Sequence, residues 1–147
     1  MLIETAGHEL PFAPAQIFDL VADIERYPDF LPWWISVSII KRELDICDVE
    51  QVLGRGPVRI QFASRAVLTR PERIDITSSD GPFRHLAICI RVVPGALTGC
   101  RLGLSAHVEL RSFVLQQIVQ RVLATSIDDI LAAFAQRAHS LYGQPNS

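Results

Sequence analysis

The chain has 147 residues, of which 49% are hydrophobic, and its formal net charge at pH 7 is -2. This length suggests one domain with enough apolar material for a core. The near-neutral charge argues against a strongly basic nucleic-acid-binding protein, so we expect no DNA partner. No run reaches the roughly 18 uncharged apolar residues of a membrane span.

The N-terminus and the cysteines bear on the cellular compartment. The N-terminus lacks the charged start, apolar run and cleavage site of a signal peptide. Three cysteines, an odd number, fit a reducing compartment better than a disulfide framework. We therefore expect a cytoplasmic protein with free thiols.

The first part of the chain predicts a strand and then a helix. Leu2–Leu10 can form the strand, and Pro14 suits the first position of the helix. The predicted apolar face of this helix consists of Ile17, Phe18, Val21, Ala22 and Ile24. Pro28 ends it, because the residue before a proline disfavours the α region. We expect Pro28–Trp34 to form a compact aromatic turn.

From Ile35 the hydrophobic pattern changes to a period of two, which is typical of strands with one buried face. The pattern predicts strands at Ile35–Ile39, Cys47–Leu53, Val58–Thr69, Ile74–Thr77, Leu86–Val92 and Leu102–Leu110. Their short connections make them antiparallel. Across the last hairpin, residues that pair must share a face, so Ile90 is expected opposite Leu104.

A long amphipathic helix is predicted over Ser112–Tyr142, with Ser112 as N-cap and Gly143 as C-terminal stop. Its apolar face is predicted to contain Leu115, Val119, Val122, Leu123, Ile130, Ala133, Phe134 and Leu141. A helix of about 30 residues is roughly 45 Å long, so its apolar face needs a wide apolar surface to pack against. The sequence therefore predicts an α+β fold in which a curved antiparallel sheet of about six to seven strands wraps round this helix. Residues 144–147 are expected to form a flexible tail.

Residues that carry catalytic chemistry are sparse in this sequence. The four histidines, His8, His85, His107 and His139, have no metal-ligand spacing among themselves or with the cysteines. No phosphate loop, dinucleotide fingerprint or nucleophile motif is present. We therefore predict no catalytic residue, no metal and no required cofactor. What remains is an apolar interior, which is either a packed core or a cavity for an apolar ligand.

Several segments together resemble the coenzyme Q-binding START-like family, which also includes the bacterial ribosome-association toxin RatA and polyketide cyclase/dehydrase-like proteins of the SRPBCC superfamily. The segments are Tyr27–Trp33, Phe62–Leu68, Asp80–Leu86, Ala133–Ala138 and Leu141–Gly143. They span nearly the whole chain in the order of the family. The resemblance implies a helix-grip, Bet v 1-like fold and one lipid-binding domain over residues 1–147. It also implies ubiquinone or a related polyprenyl lipid as ligand, and a role in respiratory electron transport.

The sixth strand departs from the pattern of the family. The family usually has a Trp and a Phe where this chain has Ile90 and Val92, and Trp34 stands where a small residue is common. Both changes concern the volume of the interior. They make the identity of the ligand harder to predict than the fold.

The leading hypothesis is a non-enzymatic quinone-binding protein whose cavity wall comes from the inward rows of the sheet and the helix. The predicted wall consists of Phe30, Trp33, Ile60, Phe62, Ile74, Ile76, Leu86, Ile88, Ile90, Leu104, Ala106, Val108, Val119, Val122, Ser126, Ile130 and Phe134. Ser126 and Arg137 are the predicted polar contacts, because either could donate to a quinone carbonyl. The alternatives are that Ser126 bonds its own helix backbone and that Arg137 extends to solvent or pairs with a strand carboxylate.

Two other functions stay open from the sequence. One is an interaction protein that blocks the association of ribosomal subunits, although a basic surface for rRNA is lacking. The other is an aromatase or cyclase, which would need acid–base groups inside the cavity. The aromatic turn with Phe30, Leu31, Trp33 and Trp34 also suggests peripheral contact with the inner membrane.

Overall fold

The computed structural model describes residues 2–55, 57–95 and 99–143, and the side-chain surroundings of 2–5, 55, 58 and 122–126 lie outside this description. The elements are β1 Leu2–Leu10, α1 Pro14–Ala22, a 3-10 helix Ile24–Asp29, β2 Trp34–Glu43, β3 Ile46–Arg55, β4 Val58–Thr69, β5 Arg73–Ser78, β6 Phe83–Pro94, β7 Cys100–Leu110 and α2 Phe113–Tyr142. The predicted tail, 144–147, is not among the described residues.

The seven strands form one curved antiparallel sheet in the order β1-β7-β6-β5-β4-β3-β2. The six later strands follow one another as a meander, and β1 pairs with β7 at the far edge. The predicted register is confirmed, because Ile90 lies opposite Leu104 and Cys89 opposite Ser105. The predicted α+β fold, with the sheet wrapped round a long C-terminal helix, is confirmed.

The limits of α2 follow from its caps, as predicted. The Ser112 hydroxyl oxygen accepts a hydrogen bond from the Leu115 backbone N–H at 3.3 Å. At the other end Gly143 has a φ of 72°, a left-handed conformation that favours glycine. Its N–H donates to the His139 carbonyl oxygen at 2.9 Å. Both helix ends therefore have partners for backbone groups that the helix itself leaves unpaired.

The buried stripe of α2 does not follow one straight line. Near the start of the helix Leu115 and Val119 face the sheet, whereas the second half buries Ile127, Leu131, Phe134 and Ala138. The predicted inward position of Leu141 was wrong, since this side chain is 52% exposed. The end of the helix packs beside α1 and the residues before it, because the Tyr142 hydroxyl donates to the Gln16 carbonyl oxygen at 2.9 Å and the Phe12 ring contacts those of His139 and Tyr142.

The first residues of β2 depart from simple alternation. A β-bulge between Trp34 and Ser36 places Ile35 and Ser36 successively on the outer face. Ile35 is therefore 41% exposed, contrary to the predicted inward row. Trp34, in contrast, turns inward and packs against the main core.

Candidate ligand-binding cavity

A cavity of about 290 Å³ lies between the inner face of the sheet and α2. Most of the predicted wall residues line it: Trp33, Ile60, Phe62, Ile76, Leu86, Ile88, Ile90, Leu104, Ala106, Val108, Val119, Ile130 and Phe134. The even-numbered rows of β4, β5, β6 and β7 supply most of this wall, because side chains two apart on a strand share a face. Ligand binding by these residues stays a prediction.

Some predicted positions lie elsewhere. Ile74 is fully buried in the main core cluster and does not line the cavity. Phe30 packs behind the cavity, with its ring centroid 5.5 Å from that of Phe134. The Arg137 guanidinium carbon lies 5.2 Å from the Phe30 ring centroid, so this cation contacts an aromatic face and not the cavity. The side chains of Val122 and Ser126 lie outside those that the structure describes.

The sequence-based prediction of the wall missed several residues that line the cavity. These are Tyr27, Leu31, Trp34, Gln51, Leu53, Gly54, Phe83, Ile118 and Ile127. A signal for Gln51 was present, because its neighbours in the odd-numbered row of β3, Val49 and Leu53, are both apolar. A polar residue between Val49 and Leu53 on the same face must point inward with them.

The polar corner of the cavity is a chain of three hydrogen-bonded side chains. The Trp34 indole Nε1–H donates to Gln51 Oε1 at 2.8 Å. Gln51 Nε2 in turn donates to Ser64 Oγ at 2.8 Å. Gln51 and Ser64 are 4% and 6% exposed, so this chain is buried in an otherwise apolar wall. These two hydrogen bonds hold the three side chains in one arrangement.

The turn before β2 fixes both tryptophans at the cavity. Trp33 has a φ of 71°, a conformation that is rare for bulky residues. The Gly54 backbone N–H donates to the Trp33 carbonyl oxygen at 2.8 Å, which ties this turn to the end of β3. Backbone strain of this kind persists where the surroundings hold it, often beside ligand sites.

Tyr27 closes one end of the cavity. Its hydroxyl donates to the Val21 carbonyl oxygen. Burial, together with the negative charge of Asp23, raises the pKa of the Tyr27 phenol far above its usual range. Among the described residues that line the cavity, Tyr27 has the one titratable side chain. The Tyr27 proton is already donated to a carbonyl, so the described part of the wall provides no free acid or base.

Exposed apolar residues lie at the start of α2. Phe113, Val114 and Ile118 are 77%, 68% and 47% exposed, and Ile118 also lines the cavity. In the aromatic turn, by contrast, Leu31 is only 5% exposed and Phe30 is half-buried. The predicted apolar tip at this turn is therefore largely part of the interior.

The described residues contain no cluster of three or more metal-ligating side chains. None of the described helices combines the length and the apolar character that crossing a membrane requires.

Much of the positive charge on the described surface is paired. Arg65 bonds Asp48 at 2.8 Å, Arg70 bonds Asp45 at 3.0 Å, and other pairs join Arg42 to Glu25, Arg73 to Asp75 and Arg101 to Glu9. Carboxylates beside these arginines reduce the positive potential that phosphate groups would meet.

The protein has a START-like helix-grip fold, which is also called Bet v 1-like. Its defining features here are the curved antiparallel sheet, the long C-terminal helix and the apolar cavity between them. The chain belongs to the family described as polyketide cyclase/dehydrase and lipid transport, whose family model matches residues 10–135.

Named relatives include proteins of different functions. The chain is 26% identical over 134 residues to the ribosome association toxin RatA of Pseudomonas aeruginosa, covering 91% of this chain and 93% of the toxin. It is 25% identical over 147 residues to the mitochondrial coenzyme Q-binding protein COQ10 of Dictyostelium discoideum, covering 95% and 70% of the two chains. The Zhui aromatase/cyclase of Streptomyces sp. R1128 has the same fold, with a TM-score of 0.85, 14% identity and 99% coverage of both chains.

Proposed function

We propose that residues 1–147 act as one domain that binds ubiquinone or a related isoprenoid quinone in the cavity between the sheet and α2. The observation that carries the proposal is the cavity itself, whose described wall is mostly apolar and includes the corner formed by Trp34 and Gln51 and the buried hydroxyl of Tyr27. A benzoquinone ring with a prenyl tail has the matching chemistry, an apolar body with neutral carbonyl oxygens at one end. The coenzyme Q-binding relative supports the same ligand class.

The size of the cavity fits the ring and the start of the tail. Its volume of about 290 Å³ is close to the lower limit of ligand pockets, which range from about 300 to 1,000 Å³. Ile118 belongs to the wall and is 47% exposed, so the cavity reaches the surface beside the first turns of α2. A longer tail would leave the cavity at this edge.

The proposed role is binding and delivery of the quinone to respiratory electron transport, without catalysis. An aromatase or cyclase needs groups that move protons on the substrate. The one titratable side chain in the described wall, Tyr27, is a buried neutral phenol that donates to the Val21 carbonyl. This supports a binding protein over an enzyme.

The proposed location is the cytoplasm, from which delivery of a quinone would bring the protein to the surface of the inner membrane. The exposed Phe113 and Val114 precede the cavity-lining Ile118 on α2. Apolar side chains at such a position can enter the boundary between lipid headgroups and acyl chains. We therefore place the peripheral membrane contact at the start of α2 and not at the aromatic turn.

A second candidate function, favoured by the similarity to RatA, is an interaction with the ribosome that blocks subunit association. The net charge of -2 and the paired arginines of the described surface are a poor match for rRNA phosphates. We therefore rank this function below quinone binding.

Tryptophan fluorescence tests the proposed ligand. Trp33 and Trp34 both line the cavity, so titration with decylubiquinone should quench their emission along a saturable curve. A Trp33→Phe and a Trp34→Phe variant assign the signal to each ring. Quenching that rises linearly and matches that of free N-acetyltryptophanamide would contradict the proposal.

A further inference from the structure

We propose that Gln51 determines which ligands this cavity accepts, by donating its second amide hydrogen to a neutral carbonyl oxygen of the ligand. The inference rests on the proposed function in one respect, that the cavity holds a ligand. It goes further by naming the recognising group, the atom that it recognises and the end of the ligand that lies beside Trp34.

The orientation of the Gln51 amide follows from the chemistry of its neighbours. An indole N–H can only donate, so the atom of Gln51 that lies 2.8 Å from Trp34 Nε1 must be the carbonyl Oε1. The amide nitrogen must then be the atom 2.8 Å from Ser64 Oγ. The reverse assignment would place two donors face to face at Trp34.

This orientation leaves one donor available. An amide nitrogen carries two hydrogens, and Ser64 accepts one of them. Among the described residues the second hydrogen has no acceptor, although Gln51 is only 4% exposed and lines the cavity. A buried donor without an acceptor is unfavourable, and a ligand oxygen in the cavity would satisfy it.

The donor is held in place before any ligand binds. Gln51 lies on β3 between β2 and β4, opposite Phe62 on the inner face. The bulge in β2 turns Trp34 inward, and the Trp34 ring packs edge-on to Tyr27 at a centroid distance of 5.9 Å. Because its two partners are fixed, the amide loses little freedom on binding.

The surroundings of Gln51 narrow the chemical class of the ligand. No Lys, Arg or His belongs to the described cavity wall, so a carboxylate or phosphate there would be buried without a counter-charge. A pure hydrocarbon would leave the amide hydrogen unpaired. An apolar molecule with a neutral acceptor oxygen meets both conditions, and the proposed acceptor is the carbonyl of a quinone, a ketone or an ester.

A matched pair of small probes separates the hydrogen bond from general apolar binding. The probes are 2-methyl-1,4-naphthoquinone and 2-methylnaphthalene, which share the fused rings and the methyl group and differ in the two carbonyls. Isothermal titration calorimetry measures both with the wild type and with Gln51→Leu. We expect Gln51→Leu to weaken the naphthoquinone roughly fivefold, as is typical of one neutral hydrogen bond, and to change the hydrocarbon less than twofold.

Two further variants control for stability. Ser64→Ala removes an acceptor of Gln51 but keeps its N–H groups, so it should still prefer the naphthoquinone. If Gln51→Leu does not fold, the double variant Trp34→Phe, Gln51→Leu removes the donor and the acceptor of the 2.8 Å bond together and allows the same comparison.

Equal affinity of the wild type for both probes, or an equal loss of both in Gln51→Leu, would overturn the role of Gln51 and leave the apolar cavity as a binding site. Binding of neither probe by the wild type would overturn the proposed function as well. A shift of the Gln51 side-chain amide resonances with the naphthoquinone alone would support the inference directly.

Discussion

Tyr27 and Phe134 meet edge to face, with their ring centroids 5.6 Å apart and their planes inclined at 80°. This contact joins the 3-10 helix to α2 at a point where both residues line the cavity. Aromatic pairs of this geometry are worth about 0.5–1.5 kcal/mol beyond their buried area. The packing that anchors the long helix is therefore also part of the proposed ligand site.

Replacing Tyr27 by Phe tests this anchor. The ring and its contact with Phe134 stay, whereas the hydrogen bond from the hydroxyl to the Val21 carbonyl is lost. We expect the free energy of unfolding in urea to fall by about 1–2 kcal/mol, because the buried carbonyl loses its donor. An unchanged free energy would show that the hydroxyl contributes nothing to the anchor.

The buried phenol of Tyr27 should also make the free energy of unfolding depend on pH. Burial raises the pKa of its phenol in the folded protein, whereas in the unfolded chain a tyrosine ionises near pH 10. Above about pH 10 only the unfolded chain releases this proton, so the stability that the neutral phenol provides is present below that pH and is lost as pH rises further. Burial also raises the pKa of Tyr142, so a smaller slope should remain in Tyr27→Phe. Urea unfolding at pH 8 and pH 10.5 measures the slopes, and equal slopes for both proteins would contradict the assignment.

Two neighbouring positions on β6 distinguish cavity wall from packed core. Ile90 is 3% exposed and lines the cavity, whereas Val92 is 2% exposed and packs in the main core away from it. We expect Ile90→Trp to keep its melting temperature and to bind less quinone, because the ring enters the cavity. Val92→Trp is the matched control and should lose about 1–3 kcal/mol through overpacking. Equal losses of stability in both variants would show that Ile90 belongs to the core.

The start of α2 is the proposed membrane contact. Phe113→Ser, Val114→Ser should reduce flotation with liposomes of anionic and neutral phospholipids, because these two side chains are 77% and 68% exposed. The control is Ile40→Ser, Leu44→Ser on β2 and the following turn, where the apolar side chains are 59% and 99% exposed. Equal flotation of the two double variants and the wild type would contradict a contact at α2.

Sucrose gradients test the ribosome hypothesis. At a protein concentration equal to that of the ribosomes, we expect no shift from joined ribosomes to free subunits. The physical reason is that carboxylates pair with many surface arginines, as Asp48 does with Arg65, and so weaken their attraction for rRNA phosphates. Clear accumulation of free subunits would favour the second candidate function over the first.

The register of the sheet was predictable from the sequence because one face of each strand is buried. A shift by one residue between β6 and β7 would turn the apolar row of one of them, with either Ile90 or Leu104, to the solvent, so the apolar pattern leaves one alignment. The caps of α2 were also predictable. Serine commonly accepts a hydrogen bond from a free backbone N–H at the start of a helix, as Ser112 does, and glycine readily adopts the left-handed conformation at the end, as Gly143 does.

The polar corner of the cavity was harder to predict, because it depends on contacts between strands. The bulge that turns Trp34 inward breaks the alternation from which Ile35 was expected to be buried. The strand pattern indicates that Gln51 points inward, but its hydrogen bonds with Trp34 and Ser64 depend on neighbouring strands and cannot be read from that pattern. The position of Leu141 likewise depends on the packing of the helix end against Phe12 and α1, which the helical period alone does not show.

The central claim is that this protein binds an isoprenoid quinone, and analysis of what it carries from the cell tests that claim most directly. The purified protein is extracted with organic solvent, and the extract is analysed by liquid chromatography and mass spectrometry beside that of an unrelated protein purified in the same way. We predict a ubiquinone or related polyprenyl quinone in the extract of the wild type and a much smaller amount in that of Ile90→Trp. An extract with no quinone above the level of the unrelated protein would contradict the account.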